Sequence, residues 1–108
     1  GIRDRDVTGV QTCALPIYIG MKAFQNQDEV GAAAVPYLRV VGHLVFSYFF
    51  AQMSKIALEK KDSGDKFYEA KLATARFYFG RLYPETAMLI RQARSGSANL
   101  LALDADLF

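Results

Sequence analysis

His43, the chain's one histidine, lies four residues from Arg39 and four from Ser47. That spacing puts the three side chains on one helical stripe. A stripe of this kind is a contact line to a ligand or partner or, as expected here, a solvent-facing stripe or a histidine satisfied by a local hydrogen bond. One histidine without cysteine or carboxylate at ligand spacing makes no metal site. His43 beside Ser47 lacks both an orienting acid and a nucleophile elbow, so a hydrolase triad is not supported. Gly31, Gly42, Gly64, Gly80 and Gly96 are too far apart for a phosphate-cradling loop. Glu29, Glu59, Glu69 and Glu85 are scattered and form no acid–base pair. Lys66, Lys71, Arg76 and Arg81 alternate with Phe67, Phe77 and Tyr78, as in a nucleic-acid patch. Their helical spacing, with Glu69 among them, favours a core face with a charged rim. No catalytic, cofactor-binding or metal-ligating residue is assigned.

The 108 residues are 52% apolar and 22% charged, with a net charge of +2. That suits one globular domain and excludes disorder. The charge is too small to draw nucleic acid or anionic lipid strongly. The single cysteine, Cys13, permits no internal disulfide. The apolar run from Val40 to Ser54 is fifteen residues and carries His43, Ser47 and Gln52. A membrane span needs about 20 apolar residues, so a core or interface helix is expected and no transmembrane segment.

Three helices are expected to position these groups. The first covers Val35 to Lys61, with Leu38, Val41, Leu44, Val45, Tyr48, Phe49, Met53 and Ile56 as its apolar face. Pro36 opens it, or kinks it if Gly31 to Val35 is also helical. The second covers Asp65 to Tyr83, capped by Ser63 or Asp65, with Tyr68, Leu72, Ala75, Phe79 and Leu82 inward and Glu69 and Arg76 outward. The third starts at Pro84, runs to about Arg94 and ends at Gly96. Ser97 to Leu103 is expected to form one further short turn, with Ser97 as its cap. Gly42 and Gly80, inside helices, imply close helix–helix approach. Met21 to Val30 is polar, a fraying helix start or a linker. With no alternating pattern, the class is all-α: a small helical bundle of about three main helices, kinked at Pro84.

The N-terminal stretch is of a different kind. Val7 to Ile17 (VTGVQTCALPI) resembles a sequencing-library adapter strand translated in frame, and Gly1 to Asp4 (GIRD) resembles the flow-cell segment that precedes it. A six-base index between them would encode Arg5 and Asp6. On this reading residues 1–17 are adapter-derived and unstructured, 18–30 form a junction, and 31–108 are the domain. The natural part, a fragment of a longer protein, then has 91 residues and keeps the charge of +2.

Three segments resemble one family: VPYLRVVG (Val35 to Gly42), FYEAKLATARFYFGRLYP (Phe67 to Pro84) and SGSANLLALDADLF (Ser95 to Phe108). They are similar to the C-terminal helical extension of large bacterial acyl-CoA dehydrogenases, the 3-methylmercaptopropionyl-CoA dehydrogenase-like subgroup. KLATARFY with Pro84 is the most specific part. Where the family usually has small residues after the YLR–G motif, His43 to Phe50 is bulky. The resemblance implies a cytoplasmic FAD flavoprotein that oxidises the Cα–Cβ bond of an acyl-CoA through a catalytic glutamate. Flavin and substrate are held mainly by an upstream core, so the resemblance transfers no catalytic or flavin residue and implies no FAD bound by this chain alone. It implies a packing and subunit-interface module, with Tyr37, Arg39, Gly42, Lys71, Arg76, Phe77 and Pro84 as structural or interface candidates. The implied partners are the upstream core and further copies, in a homodimer or higher oligomer. The alternative is a free-standing helical interaction module.

Overall fold

The computed structural model describes residues 2–108, with side chains from Ala14 onward. The described residues form four α-helices and no strand: α1 Ile2–Gln25, α2 Asp28–Lys60, α3 Lys66–Phe77 and α4 Glu85–Arg94. The all-α class holds, and the three expected helices correspond to α2, α3 with the turn after it, and α4. The fourth, α1, crosses the stretch read as adapter and linker. Residues 2–17, expected to be unstructured, are helical, and Leu15 is fully buried beside Ala33 of α2 and Ala93 of α4. Of the expected junction at 18–30, only Asn26 and Gln27 lie outside a helix. The Asn26 N–H donates to the Lys22 carbonyl, and its side-chain oxygen accepts from the Asp28 N–H at 3.0 Å. One residue thus ends α1 and starts α2.

α2 is the spine, touching α1, α3 and α4. Asp28 and Glu29 sit at its N-terminus and Lys60 in its last turn, each matching the helix dipole. Pro36 lies inside it, the second of the two expected placements. Gly64, at φ +88°, turns the chain out of a 3₁₀ turn at Lys61–Ser63. Asp65 then caps α3 by accepting from the Phe67 N–H at 2.9 Å.

The face that α2 buries is not the one its periodicity suggests. Ala33, Val40 and Ser47, seven residues apart, are buried, as is Ala57. Leu38, Val45, Tyr48, Phe49, Met53 and Ile56 are exposed, Leu38 by 70%. Small side chains allow the other helices to approach α2, and they carry the contact inside this chain. The bulky apolar residues point to the opposite side. The described body is correspondingly thin, 66 × 30 × 15 Å, against about 10–12 Å for a single helix with its side chains. Gly42 and Gly80, expected at close helix contacts, would place a Cβ with no atom within 4 Å. Among the described residues nothing packs against either position.

The helix after α3 also departs from regular spacing. Tyr78–Leu82 is one π-helical turn, closed by the Tyr83 N–H donating to the Tyr78 carbonyl at 2.9 Å. The extra residue shifts the register, so Tyr78 and Tyr83 are buried while Leu82, expected on the inner face, is half exposed. Pro84 immediately precedes the first residue of α4. Gly96, at φ +85°, terminates α4 as expected. Val40 packs with Leu89 and Ile90 of α4 in a second small core cluster.

By length and composition alone, residues 28–63 are sufficient to cross a bilayer, which the fifteen-residue run was not. Helix 28–60 extends well beyond that run at both ends, and Ala32 to Val35 add apolar length.

Candidate functional site

Four polar side chains meet where α2 faces the π turn and the start of α4. The Arg39 guanidinium donates to Glu85 Oε1. His43 Nε2 lies 2.8 Å from Glu85 Oε2, and His43 Nδ1 lies 3.0 Å from the Tyr78 hydroxyl. Tyr78 donates its one hydroxyl proton to the His43 backbone carbonyl at 3.0 Å. The hydroxyl can then only accept from Nδ1, and a carboxylate can only accept from Nε2. All four contacts are made at once when both ring nitrogens carry protons. Tyr83 closes the cluster, its ring edge-on to the imidazole with centroids 6.5 Å apart.

Two groups here have displaced proton affinities. The hydrogen bond from His43 holds the Glu85 carboxyl below its usual value, helped by the charges of Arg39 and His43 against some loss of hydration. Burial, with Tyr83 alongside, pushes the Tyr78 hydroxyl up to about 12. Tyr78 is therefore a neutral donor at physiological pH.

The stripe Arg39–His43–Ser47 is thus not solvent-facing along its length, and the partners of His43 are not local. Arg39 is exposed, His43 is largely covered and bonded to residues 35 and 42 positions away, and Ser47 is buried with its hydroxyl on the Leu44 carbonyl at 2.7 Å. Glu85 is an orienting acid that sequence distance concealed. Ser47 does not reach His43, so no nucleophile is assembled. Both imidazole nitrogens are engaged within the chain, and the cluster acts as a clamp between α2, the π turn and α4. Among the described residues no group of three His, Cys, Asp or Glu side chains is placed to hold a metal ion.

The seven interface candidates do not converge. Tyr37 packs on the cluster of Leu15, Ala33 and Ala93. Arg39 is in the clamp, and Gly42 lies on α2 with open space beside it. Lys71 sits with its ammonium 5.2 Å from the Phe67 ring centre. Arg76 and Phe77 are exposed on α3, and Pro84 is exposed before α4.

A second polar contact escaped the sequence reading. The carboxylate of Glu29 accepts from the Ser97 hydroxyl at 2.9 Å and from its backbone N–H at 3.3 Å. Ser97 does begin a short turn, its carbonyl accepting from the Leu100 and Leu101 N–H groups, but its buried side chain ties the end of α4 to the start of α2. Nothing local signals a pair 68 residues apart. Beside it an open depression of about 280 Å³ is lined by Gln27, Asp28, Gly31, Ala32, Ser97, Leu100 and Leu101. No cation lines it.

Comparison with known proteins agrees with the sequence resemblance. The chain matches the family described as Acetyl-CoA dehydrogenase C-terminal like over residues 12–104. No curated protein and no solved structure matches it. A match over most of the chain, on an all-helical body, settles its kinship: the chain belongs to the Acetyl-CoA dehydrogenase C-terminal-like family.

Proposed function

We propose that this chain is the C-terminal packing and subunit-interface domain of an FAD-dependent acyl-CoA dehydrogenase of the 3-methylmercaptopropionyl-CoA dehydrogenase-like subgroup. The whole cytoplasmic enzyme oxidises the Cα–Cβ bond of acyl-CoA thioesters, and this domain is inactive alone. Its partners are the upstream catalytic core and further copies of the enzyme. The observation that carries the reading is the outer face of α2, whose bulky apolar residues stand exposed. Apolar surface of that extent marks an interaction site.

The one depression described among these residues does not suit a flavin. The depression beside Ser97 is lined by the acidic Asp28 and by no Lys or Arg, so it has nothing to neutralise a dinucleotide diphosphate. FAD belongs to the upstream core in this reading.

The test is to produce the chain alone and measure flavin binding and acyl-CoA oxidation. Both are expected to be absent, with binding to a separately produced catalytic core. Oxidation by the chain alone refutes the reading. The second reading, a free-standing interaction module, rests on the same exposed face. The genomic frame upstream of Tyr18 separates the two: a long open frame supports the first, a start codon near Met21 the second. The same sequence tests our inference that residues 1–17 derive from adapter. Membrane-surface association through Val40 to Phe50 is a third reading, removed if the chain does not float with liposomes.

A further inference from the structure

Resting on the interface reading above, we propose that the outer face of α2 pairs antiparallel with the same face of a second copy, seating Phe49 of each protomer against Gly42 of the other.

The surface area is the first argument. The chain exposes 7944 Å², whereas a compact monomer of this mass exposes about 6,000 Å². The surplus of about 2,000 Å² is that of an obligate interface, which buries roughly 1,000–2,500 Å² per partner. A helix laid along α2 removes surface of that kind, because the uncovered side chains there are apolar and contiguous.

The second argument is the pattern of the stripe. Leu38, Gly42, Val45, Phe49 and Met53 lie on one side of α2 at steps of four, three, four and four residues, opposite Ala33, Val40 and Ser47. Except for Gly42, which is partly covered, each is exposed. Run in opposite directions about a two-fold axis beside Val45, two such stripes bring Leu38 to the partner's Met53 and Gly42 to the partner's Phe49. The largest side chain of the stripe meets its one position without a side chain, twice over.

Gly42 supplies the third argument. A glycine inside a helix costs about 1 kcal/mol relative to alanine, and beyond its own helix no described atom lies within 4 Å of the Cβ it lacks. The vacancy is useless to the lone chain and necessary to a ring packing on the helix backbone. Direction follows from charge. α2 begins with Asp28 and Glu29 and ends with Lys60, followed by Lys61. Antiparallel pairing brings acidic ends toward basic ends and opposes the dipoles, whereas parallel pairing sets like against like.

The test uses the 108-residue chain with Cys13→Ser throughout. Sedimentation is expected to show a dimer at roughly 100 μM, since interfaces of this size dissociate at micromolar concentration or below. Mixed Leu38→Cys and Met53→Cys chains are expected to form a cross-chain disulfide, and Leu38→Cys alone none. Gly42→Phe is expected to weaken the dimer by roughly tenfold or more through overpacking, with helicity unchanged. Adding Phe49→Gly to the same chain is expected to restore it. A self-disulfide of Leu38→Cys, or a dimer indifferent to Gly42→Phe, overturns the pairing. So does a monomer that binds the catalytic core, which leaves the interface reading standing. A monomer that binds neither overturns both, and a monomer that floats with liposomes assigns the face to lipid and overturns the pairing.

Discussion

Two leucines of the same chemistry separate the observed fold from the one that periodicity suggests. Leu89 of α4 is 2% exposed and packs with Val40 and Ile90, whereas Leu38 of α2 is 70% exposed. Leu→Ala removes the equivalent of three methylenes, about 2.4 kcal/mol of transfer free energy when fully buried. A buried site adds the cavity left behind, which brings typical losses to about 3–5 kcal/mol. Leu38 keeps under a third of its surface from water and leaves no cavity, so its truncation costs about 0.7 kcal/mol. Each kcal/mol moves the melting point of a domain this size by roughly 4–8 °C. Leu89→Ala is therefore expected to melt at least about 12 °C lower, and Leu38→Ala within about 6 °C of the parent. Far-UV circular dichroism on dilute chain, where sedimentation shows monomer, gives both numbers. Equal losses at the two sites would refute the placement of α2, because Leu38 would then have to be buried within the chain.

The clamp predicts acid sensitivity. Glu85 is held below its ordinary 4.5 chiefly by His43, so its stabilisation is present above that value and is lost as pH falls through the depressed one. Glu85→Gln is expected to flatten that part of a pH–stability curve; an unchanged curve counts against the clamp. At the alkaline end Tyr78, raised from 10.0 to about 12, favours the fold fully below pH 10 and loses that contribution as pH rises to 12. Ultraviolet phenolate titration should find one late-titrating tyrosine, absent in Tyr78→Phe. Gly96→Ala, at φ +85° with the Glu29 carboxylate 3.4 Å from the new Cβ, should destabilise by about 1–2 kcal/mol, as read by urea unfolding. Deleting residues 1–17 removes Leu15 from its cluster and should cost about 2–5 kcal/mol; undiminished stability would show that the stretch has no packing role.

The origin of these effects was partly visible in the one-dimensional pattern. The helical class, the Asp65 cap, the chain reversal at Gly64 and the stop at Gly96 each depend on residues within a few positions of one another. Local backbone chemistry decides them. The family match over residues 12–104 is legible for a similar reason, since kinship is written in residue order. What escaped was whatever needed two distant segments. His43 reads as a lone imidazole until Glu85 and Tyr78 arrive from residues 42 and 35 positions away. Leu82 reads as inward until the π turn adds one residue and rotates Tyr83 into its place.

The sequence by itself determined that α2 has an apolar face and that it stops near Lys60, because period and turn chemistry are local; its start lies at Asp28, seven residues before the expected Val35. Only the tertiary structure decided which face the chain covers. Small residues at Ala33, Ser47 and Ala57 let the neighbouring helices approach closely, so they were buried in place of the bulkier stripe. Hydrophobicity says what prefers to leave water, whereas close packing decides which surface another helix can reach.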